Sequence, residues 1–269
     1  MAFSIGIAGL GAIGLHLARA LDRGVEGLTL VAVAARDHAK AADNIADFAH
    51  RPAITSLAGL ADVADIVVEA APASVFEEVA SAAIARGRIF VPSSCGALLP
   101  RMHLVEQARA SGARIIIPTG ALLGLDAVRA AAEGTVSSVT IETRKPPGGL
   151  VGAPYLAQHG IDVLAITGEA KLIFKGNAFD AAAGFPANVN VAAALALAGI
   201  GPERTMVEIW ADPAVTRNTH TIRVEADEVR LTMTIENVPS VENPRTGKIT
   251  PLSILACLRG LVSTLKVGS

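Results

Sequence analysis

The chain has 269 residues, with 23 Lys plus Arg against 25 Asp plus Glu, a formal net charge of −2. Hydrophobic residues make up 51% and charged residues 18%, which excludes a disordered chain, and the near-neutral balance offers no basic field for a nucleic-acid backbone. Aromatic residues at 3% argue against base-stacking or sugar-stacking surfaces, and the two cysteines, Cys95 and Cys257, form neither a disulfide framework nor a zinc spacing.

The N-terminus has no basic region ahead of its apolar start, unlike a signal peptide. Phe3 to Ala8 is a short apolar run suited to a buried parallel strand. It leads into Gly9-Leu10-Gly11-Ala12-Ile13-Gly14 and then a helical face of Leu15, Leu17, Ala18 and Leu21. Further strands are expected at Leu28 to Ala34, Asp65 to Ala70, Arg88 to Pro92 and Ile115 to Pro118. Helices are expected at Ser74 to Arg86 and Leu99 to Gly112. Such alternation predicts a Rossmann-type doubly wound parallel sheet over residues 1–120.

Beyond residue 120 the texture changes. Val136 to Arg144, Val207 to Ala211, Thr219 to Ala226 and Glu228 to Glu236 alternate apolar and polar residues, which predicts a mainly antiparallel sheet with one wet face. A second α+β domain over 121–248 follows from this. The longest charge-free stretch, Ala181 to Pro202, contains Pro186, Asn188 and Asn190, which leaves only Val191 to Ile200 cleanly apolar; a membrane span needs ~20 apolar residues, so the Asn188 to Gly199 segment reads as a buried helix. The final segment, 249–269, carries a stripe of Leu255, Leu258, Val262 and Leu265 that needs a partner, so it is expected to return to the first domain. The whole reads as a soluble, cytoplasmic protein without membrane or nucleic-acid partners.

The glycine loop carries the strongest chemical signal. Gly9 makes the tight turn, Gly11 lets the backbone approach a pyrophosphate, and Gly14 permits close helix–strand packing. Phosphates would meet the free N–H groups of the helix start, around Ala12 and Ile13. The second strand ends in Ala34-Ala35-Arg36-Asp37. An acidic residue at Ala35 would favour NAD, whereas Arg36 suits a 2′-phosphate or stacks on adenine, so tolerance of both NAD and NADP is expected. Asp37 reads either as part of that recognition or as a cap for the next helix.

Metal chemistry finds no support, because the histidines of the first half lack ligand spacing. Cys95 reads as a structural or cofactor-adjacent thiol rather than a nucleophile, for want of a basic partner. His220, opening an alternating strand, is either a hydrogen-bonded structural residue or a functional one. Arg144 and Lys145 stand at a strand end before Pro146-Pro147, fit either for carboxylate binding or for solvent. Asn188 or Asn190 would cap the apolar helix, or offer an amide to nicotinamide or substrate. The loop from Asn243 to Lys248 reads as a solvated turn.

Seven blocks in order give the chain its resemblance to the L-aspartate dehydrogenase family: GLGAIG (Gly9 to Gly14), VVEAAP (Val67 to Pro72), PTGALLGLDA (Pro118 to Ala127), TRKPP (Thr143 to Pro147), FPANVNVAAALALAG (Phe185 to Gly199), DPAVTRNTHTI (Asp212 to Ile222) and ENPRTGKITPLSI (Glu242 to Ile254). The resemblance implies reversible NAD(P)-dependent oxidative deamination of L-aspartate to iminoaspartate, then oxaloacetate and ammonia, feeding nicotinamide-cofactor synthesis. It also implies His220 as the active-site histidine and Ala121 and an asparagine, Asn190 ahead of Asn188, as cofactor contacts. Arg144, Lys145 and Lys248 are the candidates for the two substrate carboxylates, with Thr219 and Asn190 as hydrogen-bonding aids. A homodimer is expected from the apolar strands of the second domain. A related dehydrogenase or imine reductase acting on another small amino or keto acid, or a non-catalytic dinucleotide sensor, are the alternatives.

Overall fold

In a computed structural model of the chain, which describes residues 2–240 and 247–268, two compact units are resolved. The first comprises residues 1–118 with 250–269, the second residues 119–249.

The first unit alternates β1 (Phe3–Ala8), α1 (Ala12–Asp22), β2 (Leu28–Ala34), α2 (His38–Asn44), β3 (Ala53–Thr55), α3 (Leu60–Val63), β4 (Ile66–Glu69), α4 (Phe76–Ala85), β5 (Ile89–Pro92), α5 (His103–Ser111) and β6 (Arg114–Ile115). Its six strands are all parallel, in the order β3-β2-β1-β4-β5-β6. Strands buried on both faces need apolar side chains at nearly every position, and Ile5, Ile7, Ile66, Val68 and Val91 supply the shared core. The strand order reverses direction between β1 and β4, so the loops leaving these two strands frame the crevice where such sheets take ligands.

Three details differ from the sequence reading. The short strand β3, Ala53-Ile54-Thr55, has only three residues, too few to show a period, and escaped it. Expected strand ends at Asp65, Ala70 and Pro118 contract to Ile66–Glu69 and Arg114–Ile115, because loop backbone takes over where ladder pairing stops. Ile254 and Leu258 of the last helix of the chain, Ile249–Val262, are fully buried in the core of the first unit, with Leu255 and Val262 packed against it. Leu265 does not join that stripe: the helix stops at Val262 and Leu265 is 78% exposed.

The second unit contains α6 (Leu125–Ala132), β7 (Val136–Lys145), α7 (Pro154–Gln158), β8 (Lys171–Asn177), α8 (Ala178–Gly184), α9 (Asn190–Ala198), β9 (Thr205–Ala211), β10 (Asn218–Ala226) and β11 (Arg230–Asn237), and the helix Ile249–Val262 is α10. The sheet order is β11-β10-β7-β9-β8, antiparallel except for the β7–β9 pair. Strand β8 and helices α6, α7 and α8 lie in segments with no clean period and were not read from sequence. One sheet face is apolar, with Val139, Ile141, Val207, Ile209, Ile222 and Val224 buried. Helices α8 and α9 pack on this sheet, and α9, with Ala192 to Ala196 all buried, can approach closely because its side chains are small. Neither Asn188 nor Asn190 caps α9: the cap position is Val189, with no side-chain hydrogen bond. No helix among the described residues is long and apolar enough to cross a membrane.

Candidate active site

The glycine loop shows three different environments. Gly9 has φ +94°, and a Cβ there would lie 2.6 Å from the Ala70 carbonyl oxygen. A Cβ on Gly14 would sit 1.8 Å from the carbonyl oxygen of Gly9, so the helix can approach the strand only with glycine there. Gly11 has nothing within 4 Å of its would-be Cβ, so its lack of a side chain keeps space open rather than relieving a contact within the fold.

Helix α1 starts at this open position with no side-chain cap and no acidic residue in its first turn, and its first i→i−4 bond runs from Leu15 N–H to the Gly11 carbonyl. The N–H groups of Ala12, Ile13 and Gly14 precede that bond, and like those of any first helical turn they point outward without an intrahelical acceptor. An anionic group approaching Gly11 therefore meets open space, N–H donors and the positive end of the helix dipole. These residues fit the pyrophosphate of a dinucleotide.

The end of β2 is tied to this loop by the Gly9 N–H donating to the Ala34 carbonyl at 2.7 Å. The carboxylate of Asp37 accepts from the Lys40 N–H at 3.0 Å and so caps α2. Arg36 is exposed at the same strand end.

In the second unit, β-strand alternation and register assemble a buried polar cluster. Thr143 and Lys145 of β7 fall on the same face as Val139 and Ile141, and the β7–β10 register sets His220 opposite Thr143. His220 is 3% exposed, and its Nδ1 lies 2.9 Å from Thr143 Oγ1. Lys145, 5% exposed, donates from Nζ to Asn188 Oδ1 at 2.5 Å, and its carbonyl accepts from the Asp212 N–H. Burial first, and the positive charge of Lys145 second, hold the imidazole down from its ordinary 6.5 to about 3. His220 is therefore neutral in the resting protein.

Asn237, ending β11, donates from Nδ2 to the Ala121 carbonyl at 3.1 Å, while its buried Oδ1 has no hydrogen-bond partner among the described residues. Ala121 is thus held by a side chain that alternation alone did not single out.

The structure gathers some of the expected residues and separates others. His220, Lys145 and Asn188 come together, and Ala121 is fixed by Asn237. Arg144 does not join them: as the neighbour of Lys145 on a strand it points to the other face. There it pairs with Glu142 at 2.6 Å and Asp212 at 3.0 Å and stacks over the Trp210 ring at 4.8 Å. Both carboxylates hold its guanidinium charged, and neither is displaced by a substrate without loss of that pair. Thr219, next to His220, also falls on the opposite face, with its hydroxyl 3.4 Å from the Arg217 carbonyl. Asn190 opens α9 and is exposed, and Lys248 is exposed beside its backbone bond to Val238. Of the polar loop ahead of the last helix, Asn243 to Thr246 lie outside the described residues.

Thr143 and Asn237 were missed by sequence reasoning. Thr143 carries the single available signal, a hydroxyl placed on an otherwise apolar alternation ending in Lys145. The described residues include no group of three or more His, Cys, Asp or Glu able to hold a metal. Burial pushes the Cys257 thiol up to about 11, which leaves it inert, and Cys95 is buried.

Comparison with known proteins covers both units. Residues 126–261 match the family model described as aspartate dehydrogenase, C-terminal, and residues 9–118 match that described as homoserine dehydrogenase, NAD binding domain. An L-aspartate dehydrogenase of Bradyrhizobium diazoefficiens is 54% identical over 98% of this chain and 94% of its own length. L-aspartate dehydrogenase 3 of Bordetella bronchiseptica is 50% identical over 98% and 97%. Among solved structures, the aspartate dehydrogenase of Thermotoga maritima is 26% identical, covers 100% of both chains and has a TM-score of 0.74.

Proposed function

The chain belongs to the L-aspartate dehydrogenase family, and from that membership we propose that it oxidatively deaminates L-aspartate. One L-aspartate and one NAD(P)⁺ give iminoaspartate, NAD(P)H and a proton; water then releases oxaloacetate and ammonia, and reductive amination is the reverse. The observation that carries this reading is the buried His220–Thr143 pair beside Lys145 and Asn188.

When bound, the nicotinamide cofactor accepts the hydride that leaves the substrate α-carbon. The glycine loop holds its pyrophosphate, and the absence of an acid at Ala35 together with exposed Arg36 suits either NAD or NADP. His220 Nδ1 lies 2.9 Å from Thr143 Oγ1; in the tautomer protonated at Nδ1, Nε2 is the base that takes a proton from the substrate ammonium or activates the hydrolytic water. In the resting protein that nitrogen is a weak base. A substrate carboxylate docking on Lys145 offsets the lesser of the two causes that lower it and adds an anion nearby, which raises the basicity of the imidazole when substrate is in place. Lys145 and Asn188 orient one carboxylate, Lys248 is the candidate for the other, and placement rather than covalent chemistry supplies the rate.

His220→Ala should lower turnover by ~10² or more while leaving NADH binding intact. Steady-state rates with aspartate, homoserine and other small amino acids, each with NAD and with NADP, test the substrate assignment alongside it. Turnover near that of the parent protein in the variant, or a preferred substrate without a second carboxylate, overturns the reading.

Three coarser attributes belong to the same proposal. Cys95 and Cys257, neither of them in a disulfide, suit a reducing, cytoplasmic setting. Exposed Leu172 and half-buried Met206 and Trp210 on the outward face of the second sheet suit a homodimer. Iminoaspartate as product suits a supply role for pyridine-nucleotide synthesis.

A further inference from the structure

Glu69 is the last residue of β4, and it is fully buried at 0% exposure. A buried carboxylate normally needs a cation or a complete set of donors. Glu69 has donors. Its Oε1 accepts from the Ala71 N–H at 3.0 Å and from the Ser94 hydroxyl at 3.1 Å, and its Oε2 accepts from the Ser94 N–H at 3.0 Å. Its main-chain carbonyl takes a fourth bond, from the Ser93 N–H at 2.8 Å. Burial raises the carboxyl above its ordinary value, and these donors offset only part of that rise.

The partners belong to the two segments that leave β4 and β5 at their C-terminal ends, Ala70 to Pro72 and Ser93 to Cys95. The first of these lies against the glycine loop: a Cβ on Gly9 would come within 2.9 Å of the Ala71 Cα as well as meeting the Ala70 carbonyl. The strand order reverses between β1 and β4, so Glu69 stands where the dinucleotide crevice opens. We propose that Glu69 is a positioning residue for the dinucleotide, a buried brace that ties the β4 and β5 loops together and holds them against the glycine loop in the geometry that binds cofactor.

The brace depends on carboxylate chemistry. A glutamine has one acceptor oxygen, so its NH₂ group would face either the Ser94 N–H or the Ala71 N–H and Ser94 hydroxyl, donor against donor. The inference rests on the dinucleotide reading of the glycine loop.

The test is direct NADH binding by fluorescence titration, beside steady-state kinetics and thermal unfolding, for the full-length chain and two variants. E69Q is expected to raise the Kd for NADH and the KM for NAD about tenfold or more, while kcat at saturating cofactor stays within about threefold. Ser94→Ala, which removes one of the three side-chain bonds and spares the carboxylate, is expected to shift Kd two- to fourfold in the same direction. A merely structural role predicts a lowered unfolding temperature with an unchanged Kd in both variants, and that result overturns the proposal. If E69Q does not fold, an unchanged Kd in S94A overturns it alone. A parent protein that binds no NADH overturns the dinucleotide reading itself, which is a different outcome from a parent that binds and variants that bind equally.

Discussion

At the residue scale, the three glycines of the loop have separable jobs. Gly11 sits in ordinary extended backbone, φ −78° and ψ −164°, with empty space where a Cβ would be. Gly11→Ala should therefore fold with an unfolding temperature close to the parent's, yet weaken NADH binding tenfold or more, because the methyl occupies space that the pyrophosphate needs. Gly14→Ala puts a methyl 1.8 Å from the Gly9 carbonyl oxygen, and should lower stability by several kcal/mol, roughly the range of severe overpacking. Thermal unfolding and fluorescence titration of the pair check this; equal loss of stability in both would mean that Gly11 is a packing residue. The sequence motif names all three glycines alike, since it records spacing, and only the surrounding atoms distinguish a packing contact from a ligand-facing one.

His220 belongs to the same scale. An unfolded chain protonates it near its ordinary 6.5, whereas the folded chain resists down to about 3. Between those values the unfolded state binds the additional proton, so the stability that goes with neutral His220 is complete above about pH 6.5 and declines as pH falls toward 3. The contribution is on the order of a few kcal/mol across that window. Urea unfolding between pH 4 and pH 7 should show a shallower acid-side decline for His220→Gln, which cannot titrate, than for the parent. Parallel declines would mean that His220 is not held neutral by the fold.

Elements decide which neighbours in sequence become neighbours in space. Along β7 the period of two sends Thr143 and Lys145 inward and Glu142 and Arg144 outward, and the one-to-one register with β10 brings His220 to Thr143 rather than to Arg144. From sequence, Arg144 and Lys145 are adjacent cations at a strand end and indistinguishable. Which one is buried depends on the face that α8 and α9 cover, and that is a property of packing. The last helix shows the same division in another form. Its apolar stripe was legible from spacing, and Ile254 and Leu258 complete the core under the parallel sheet. Leu258→Ala should cost about 2–5 kcal/mol, the range for emptying a fully buried leucine site. Chemical denaturation of the full chain measures it; a loss under 1 kcal/mol would mean that α10 merely rests on the surface.

For the whole molecule, a net charge of −2 gives no long-range attraction for a dicarboxylate or a dinucleotide. Local groups have to supply it: the open start of α1, Arg36 at the end of β2, and Lys145 inside the second unit. The sequence by itself determined the alternation of strands and helices, the glycine loop, the second sheet's alternating strands and the family, because these depend on short-range periodicity and on blocks of neighbouring residues. Tertiary structure alone decided that Thr143 holds His220, that Asn188 meets Lys145, that Arg144 is paired away on the opposite face, and that Glu69 is sealed among the N–H groups of two loops. The physical reason is common to all four. A side chain's partner is fixed by strand register and by which face is buried, and both are set by contacts between segments tens of residues apart.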